Sequence, residues 1–256
     1  MSSGQLRVAG IQIGTVWNDV SANLAANEVW INRAGDYDAG LVVLSELFST
    51  GFIPEHIEAQ REDGQVLSWM QTQAAANDLV VAATVFMQRA DRERPTNTCV
   101  FMGPDGILGM YDKARPFSLA GEGALIEAGT QPLTVDIDGV RVTPFVCYDL
   151  RFPGLFWNTA LTTDLFIIPA NWPSSRAEQW TALLRARAIE TQAYVLGVNR
   201  IGADGNHIRH SGQSAVFDPI GNQVVAFGEQ EGLVIADVDA NRVERLREQF
   251  PIRNDR

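Results

Sequence analysis

The sequence predicts an α/β fold, a layered sandwich with mixed sheets, and three observations predict it. Short apolar runs alternate with amphipathic segments in the first half of the chain. Further runs, joined by tight turns, appear between and after them. No repeat, low-complexity stretch or linker divides the 256 residues, so one domain spanning 1–256 is the simplest expectation. The strand-like runs are 6–13, 41–47, 79–86, 99–102, 140–146, 165–169, 195–199, 214–218 and 233–238. A first helix is expected after Asn18 or Asp19, either of which suits an N-cap, with Leu24, Ala25, Glu28 and Ile31 sharing a face. A second covers 66–76. A third covers 175–194, where Trp180, Leu183, Leu184, Ala188 and Thr191 form an apolar stripe and Arg185 and Arg187 point elsewhere. Gly103-Pro104-Asp105-Gly106 and Asp218-Pro219-Ile220-Gly221-Asn222 read as hairpin turns, because Pro fixes φ while Gly and Asn tolerate positive φ.

Composition narrows the function classes. Hydrophobic residues make up 46% and charged residues 20%, a balance that belongs to ordered globular chains. A formal net charge of −11 argues against nucleic acid or an anionic membrane surface as partner. The two cysteines, Cys99 and Cys147, make no disulfide framework, which points to a reducing cytoplasm. The N-terminus passes directly into a strand pattern at Leu6, and runs such as Leu165-Phe166-Ile167-Ile168 are too short to span a membrane.

Chemistry concentrates at three strand exits. Cys147 follows the apolar run from Val140 to Val146, Glu46 closes Leu41-Val42-Val43-Leu44-Ser45, and Lys113 closes the run from Ile107 to Asp112. Open α/β sheets bind ligands outside the carboxyl ends of their strands, so the three read as one site. Glu46 is placed to take the proton of a thiol whose ordinary pKa is about 8.5, and Lys113 to hold the oxyanion formed when a carbonyl is attacked. Taken singly, each has an ordinary reading as core cysteine, solvated carboxylate or surface lysine.

Three segments carry a resemblance. Leu44-Ser45-Glu46-Leu47-Phe48, Tyr111-Asp112-Lys113-Ala114-Arg115-Pro116-Phe117 and Val146-Cys147-Tyr148-Asp149-Leu150-Arg151-Phe152-Pro153 resemble, in this order, the Glu-Lys-Cys motifs of the nitrilase (carbon-nitrogen hydrolase) superfamily. The likeness runs from Val8-Ala9-Gly10-Ile11-Gln12 through Pro169-Ala170-Asn171-Trp172-Pro173 to Asp218-Pro219-Ile220-Gly221. It implies a four-layer α-β-β-α sandwich, pairing across a helical face into a homodimer or higher homo-oligomer, a thioester intermediate and no cofactor or metal. Glu122 matches a second glutamate that orients the lysine or assists proton transfer. Relatives commonly carry Lys-x-His-Leu-Phe where this chain has Lys113-Ala114-Arg115-Pro116-Phe117, a departure that leaves the subfamily open.

Asn171-Trp172-Pro173-Ser174-Ser175-Arg176 and Val198-Asn199-Arg200-Ile201-Gly202-Ala203-Asp204-Gly205-Asn206 resemble the ω-amidase branch, which releases ammonia from 2-oxoglutaramate or 2-oxosuccinamate. Such substrates carry a carboxylate remote from the amide and require a cation in the pocket; Arg115 and Arg176 are the candidates. Trp172 and Phe48 are candidate pocket walls, and the Tyr148 amide a candidate oxyanion donor. Other readings are an amidase acting on deaminated glutathione, an N-carbamoyl amidohydrolase, or a catalytically silent binding protein of the same fold. A papain-like site or a zinc pair would have to draw on His56, His207 and His210, and no neighbourhood completes either. His207 and His210 are expected to be loop histidines near the site entrance, with Arg209 and His210 the alternative candidates for selecting the anionic substrate. Val243, Leu246 and Phe250 are expected to serve a dimer face or ordinary packing.

Overall fold

A computed structural model of the chain describes residues 4–52 and 59–255; His56 lies outside them. Two six-stranded sheets share one plan. The first contains β1 (Gln5–Gln12), β2 (Leu41–Val43), β3 (Val80–Met87), β4 (Thr96–Gly103), β5 (Gly106–Asp112) and β14 (Gly232–Asp239), in the order β14-β1-β2-β3-β4-β5. The second contains β6 (Val135–Ile137), β7 (Val140–Pro144), β8 (Leu165–Ala170), β9 (Tyr194–Asn199), β12 (Ala215–Phe217) and β13 (Gln223–Ala226), in the order β13-β12-β9-β8-β7-β6. In each, three parallel strands (β1-β2-β3 and β7-β8-β9) are flanked by antiparallel ones. Parallel strands covered on both faces have no polar side, which is why β2, β3, β8 and β9 read as nearly continuous apolar runs.

The period-two alternation of β1 and β3 divides the core. Leu6, Val8, Val80 and Ala82 face the second sheet, whereas Ala9, Ile11, Val81, Ala83 and Val85 meet α1 (Val20–Asp36) and α2 (Gln65–Asn77). The sheets approach closely at Gly10, where a Cβ would stand 2.7 Å from Val198 Cγ2. On the far side of the second sheet lie α4 (Pro153–Thr159) and α5 (Ala177–Thr191), with Phe156, Trp180, Leu184 and Ala188 buried. A short α3 (Glu122–Leu125) lies between β5 and β6, and α6 (Ala240–Gln249) follows β14. The order of layers is therefore α-β-β-α, as the resemblance implies.

Several boundaries differ from expectation. Asp19 is the N-cap of α1, accepting the Ala22 N–H at 3.0 Å; its buried face is Asn23, Leu24, Asn27, Ile31 and Ala34, while Ala25 and Glu28 are exposed. The third helix stops at Thr191 because Gln192 turns left-handed (φ 51°), and Tyr194 opens β9. Arg187 does not point outward: it is buried and donates to the Leu150 carbonyl. Val243 packs fully inside the chain and is not available to a dimer face, whereas Leu246 is half-buried and Phe250 exposed. The second strand run breaks after Val43, so Leu44 to Thr50 leave the sheet while remaining buried.

Candidate active site

That early break delivers Glu46 beyond the carboxyl end of β2, next to Lys113, which follows β5 directly. Cys147 comes from the other sheet, three residues past β7, at the start of a single 3₁₀ turn. Both Leu47 (φ 46°) and Cys147 (φ 43°) adopt left-handed backbone. Non-glycine residues hold that conformation only where surrounding structure over-determines it, at a cost of roughly 1–3 kcal/mol each. At Leu47 the restraint is visible: its N–H donates to Thr84 Oγ1 at 2.6 Å.

Lys113 is 1% exposed, and a buried ammonium is tolerable only when paired. It donates to Glu46 Oε1 at 2.8 Å and to Glu122 Oε1 and Oε2 at 3.1 and 2.9 Å. Asn97 Nδ2 reaches the same two carboxylates, at 2.9 Å to Glu46 and 3.2 Å to Glu122. The Phe117 N–H holds the second oxygen of Glu122, and the Asn171 N–H donates to Glu46 Oε2 at 3.0 Å. Burial alone lowers the lysine, but Glu46 and then Glu122 outweigh it and raise the ammonium above its ordinary range, so it stays charged. The Cys147 thiol, directed 3.9 Å from the Asn171 carbonyl, is pushed well above its usual value by burial and then by the charge of Glu46, against a lowering from Lys113. Burial and the Glu46 charge thus work against a preformed thiolate on Cys147.

These groups open on a cavity of about 500 Å³. Of the residues singled out in the sequence, Glu46, Lys113, Cys147, Tyr148, Trp172 and Arg176 line it, and Glu122 sits behind the lysine. Two do not. Phe48 is buried in the core beneath α2, its ring 5.6 Å from that of Trp69. Arg115 turns outward: its backbone N–H is held by Asp149, and its guanidinium lies 5.4 Å from the Phe152 ring. The cation beside Arg176 is instead Arg151, set 4.7 Å over the Trp172 ring and donating to Gln179 Oε1 at 2.6 Å. Among the described residues no carboxylate stands within 4 Å of either.

The remaining wall is the hairpin of β10 (Ile201–Ala203) and β11 (Arg209–Ser211), which brings Asp204, Asn206, Ile208 and His210 to the cavity. It is pinned at its base by an Arg200 bond to the Thr15 carbonyl, at 3.0 Å. At its tip Gly205 lies flat on Trp17; a Cβ there would fall 2.3 Å from the indole. His210 is buried, and burial, then the neighbouring Arg200, lowers it to about 4, so at neutral pH it is an uncharged imidazole rather than an anion-selecting cation. Arg209 is exposed, 3.7 Å from Glu229, off the cavity wall, and His207 is exposed too. Among the described residues no cluster of three or more His, Cys, Asp or Glu is grouped to hold a metal ion. Asn97, Asn171 and Arg151 were not singled out as site residues in the sequence, although Asn171 and Arg151 stand in segments that carry the resemblance.

Comparison with known proteins identifies the family. Residues 7–248 match the carbon-nitrogen hydrolase family. The chain belongs to that family. Among curated relatives, the ω-amidase YafV of Escherichia coli is 35% identical over 248 residues, covering 96% of this chain and 94% of its own. A 2-oxoglutaramate amidase of Bacillus subtilis is 31% identical, covering 97% and 96%. Among solved structures of carbon-nitrogen hydrolases, XC1258 of Xanthomonas campestris superposes with a TM-score of 0.93 at 36% identity, covering 98% of this chain and 97% of that one. Nit3 of Saccharomyces cerevisiae, described as a nitrilase-superfamily member, superposes at 0.86 with 25% identity, covering 96% and 94%.

Proposed function

We propose that this carbon-nitrogen hydrolase is an ω-amidase that releases ammonia from a short 2-oxo dicarboxylate monoamide, 2-oxoglutaramate or 2-oxosuccinamate, through a thioester on Cys147. The observation that carries the chemistry is the buried Lys113 ammonium clamped between Glu46 and Glu122 at the floor of the cavity that Cys147 lines. Glu46 takes the Sγ proton as sulfur attacks the amide carbon, which avoids a free thiolate in a site that disfavours one. Lys113 Nζ and the Tyr148 N–H stabilise the oxyanion. The tetrahedral species collapses, the C–N bond breaks, and ammonia leaves with the proton held by Glu46. Water, deprotonated by the same carboxylate, then attacks the thioester; the C–S bond breaks and Cys147 regains its proton. Glu122 fixes the lysine throughout.

Substrate choice rests on the cavity's two unpaired cations and on the named relatives. Arg151 and Arg176 receive the remote carboxylate of the substrate, and Trp172 and Phe117 wall its chain. Ammonia release from 2-oxoglutaramate, 2-oxosuccinamate, N-carbamoyl-β-alanine, deaminated glutathione and a simple nitrile tests the reading, each against Cys147→Ala. Preference for the two oxo-amides, abolished in the variant, is the expected result. Turnover that survives Cys147→Ala would sink the mechanism, and preference for another compound would sink the pocket assignment alone.

A further inference from the structure

We propose that Asp149 is a positioning residue that holds the Lys113 ammonium and the Cys147 thiol at their working separation by tying together the two chain segments that carry them. The inference rests on the site reading above and concerns a residue that reading does not use. Asp149 is fully buried, and among the described residues no Lys or Arg side-chain nitrogen forms an ion pair with it. Three donors converge on its carboxylate instead. Oδ1 accepts the Arg115 N–H at 2.8 Å, and Oδ2 accepts the Val146 N–H at 3.0 Å and the Tyr111 hydroxyl at 2.9 Å. Tyr111 and Arg115 stand two residues to either side of Lys113, and Val146 immediately precedes Cys147.

One side chain therefore clamps both flanks of the lysine, from the first sheet, to the residue before the nucleophile, from the second. The backbone around it closes the same knot: the Asp149 N–H donates to the Val146 carbonyl at 2.9 Å, and the Phe152 N–H to the Asp149 carbonyl at 3.0 Å. That turn contains the left-handed Cys147, a conformation needing such restraint. Only a carboxylate accepts from all three donors; an asparagine would set an N–H against one of them. A buried carboxylate without a cation is poor stabilisation, since an apolar group of similar shape would avoid the desolvation, so geometry is the better reason for it. The clamp reaches position 115 through the backbone, so Arg115 satisfies it despite departing from the usual histidine, and the proline falls one residue later, where no N–H is required.

Asp149→Asn and Tyr111→Phe test this at a temperature where each variant is fully folded, with kcat and KM for amide turnover and the melting temperature as readouts. Loss of kcat with KM retained is expected, about a hundredfold for Asp149→Asn and about tenfold for Tyr111→Phe, since an ångström of misplacement has that order of effect. A lower melting temperature with wild-type kcat in the folded protein would mark Asp149 as merely structural and overturn the proposal. Should Asp149→Asn not fold, Tyr111→Phe decides on the same readouts. A Cys147→Ala protein that still turns over would overturn the site reading itself, an outcome separate from wild-type kcat in the two variants.

Discussion

The floor of the cavity and its opposite wall are held in different ways. Glu46, Lys113 and Glu122 are at most 3% exposed and bond to one another and to buried Asn97, with the Phe117 and Asn171 N–H groups completing the two carboxylates. Across the cavity, Asp204, Gly205, Asn206 and Ile208 project from a hairpin of two three-residue strands, and Arg151 and Arg176 rest on aromatic faces rather than in ion pairs. Reaction chemistry demands preorganised charge in a low-dielectric site, so its groups are over-determined. Recognition of a small anion demands adjustable cations at an opening, so its groups are under-determined. One cavity thus combines a rigid reacting face with a face open to change.

The largest expected effect breaks the rigid half. Glu46→Gln should lower turnover by about 10² to 10⁴ through loss of the general base. It should also speed alkylation of Cys147 by iodoacetamide at neutral pH, because the Glu46 charge is one of the causes, after burial, that raise the thiol. Opposite movement of turnover and alkylation would show that the Glu46 charge chiefly raises the thiol; a fall in both would show that Glu46 assists attack by sulfur in the alkylation as well. Cys99, fully buried in β4 and raised by that burial, should stay unmodified in either protein.

The open half should respond more gently and mostly in KM. Arg151→Met and Arg176→Met are each expected to raise KM for the oxo-amide by roughly 10- to 100-fold, the worth of a charged hydrogen bond of about 1.5–3 kcal/mol. Arg115→Met should leave KM near wild type, because that side chain faces away from the cavity. Steady-state kinetics of the three variants sharpen the comparison; equal effects from all three would erase it.

The smallest effect is a cancellation in pH-dependent stability. Burial raises Asp149 from 3.8 to about 6, against the pull of the Val146 N–H and Lys113, so its share of stability grows as pH falls through about 6 toward 4. Burial lowers His210 from 6.5 to about 4, so its share, present above 6.5, is lost as pH falls through the same window. Each amounts to about 3 kcal/mol, and the two nearly cancel. Urea melts between pH 4 and 6.5 should show His210→Gln gaining stability on acidification relative to wild type, and Asp149→Asn losing it.

The layers, the alternation of strands and helices and the reacting residues were legible because buried parallel strands and amphipathic helices leave periodic traces. The misreadings share one cause. Leu44, Leu47 and Phe48 are as apolar as strand residues, yet they belong to a buried loop, and local pattern does not separate the two. Phe48 therefore looked like a pocket wall and is core, while Arg115 looked like a pocket cation and faces solvent. Arg151, Asn97 and Asn171 left no trace as site residues, since each acquires its role from a partner 28, 51 or 125 positions away.

By itself the sequence pointed to Cys147, Glu46 and Lys113 as the proposed nucleophile, base and oxyanion holder, because each stands at the end of a recognisable apolar run and the three motifs resemble those of the family in order. Only the tertiary structure decided which cations line the cavity and how the segments carrying the lysine and the thiol are tied together. Those are matters of side-chain direction and of contacts between two sheets, and a burial pattern along one chain contains neither.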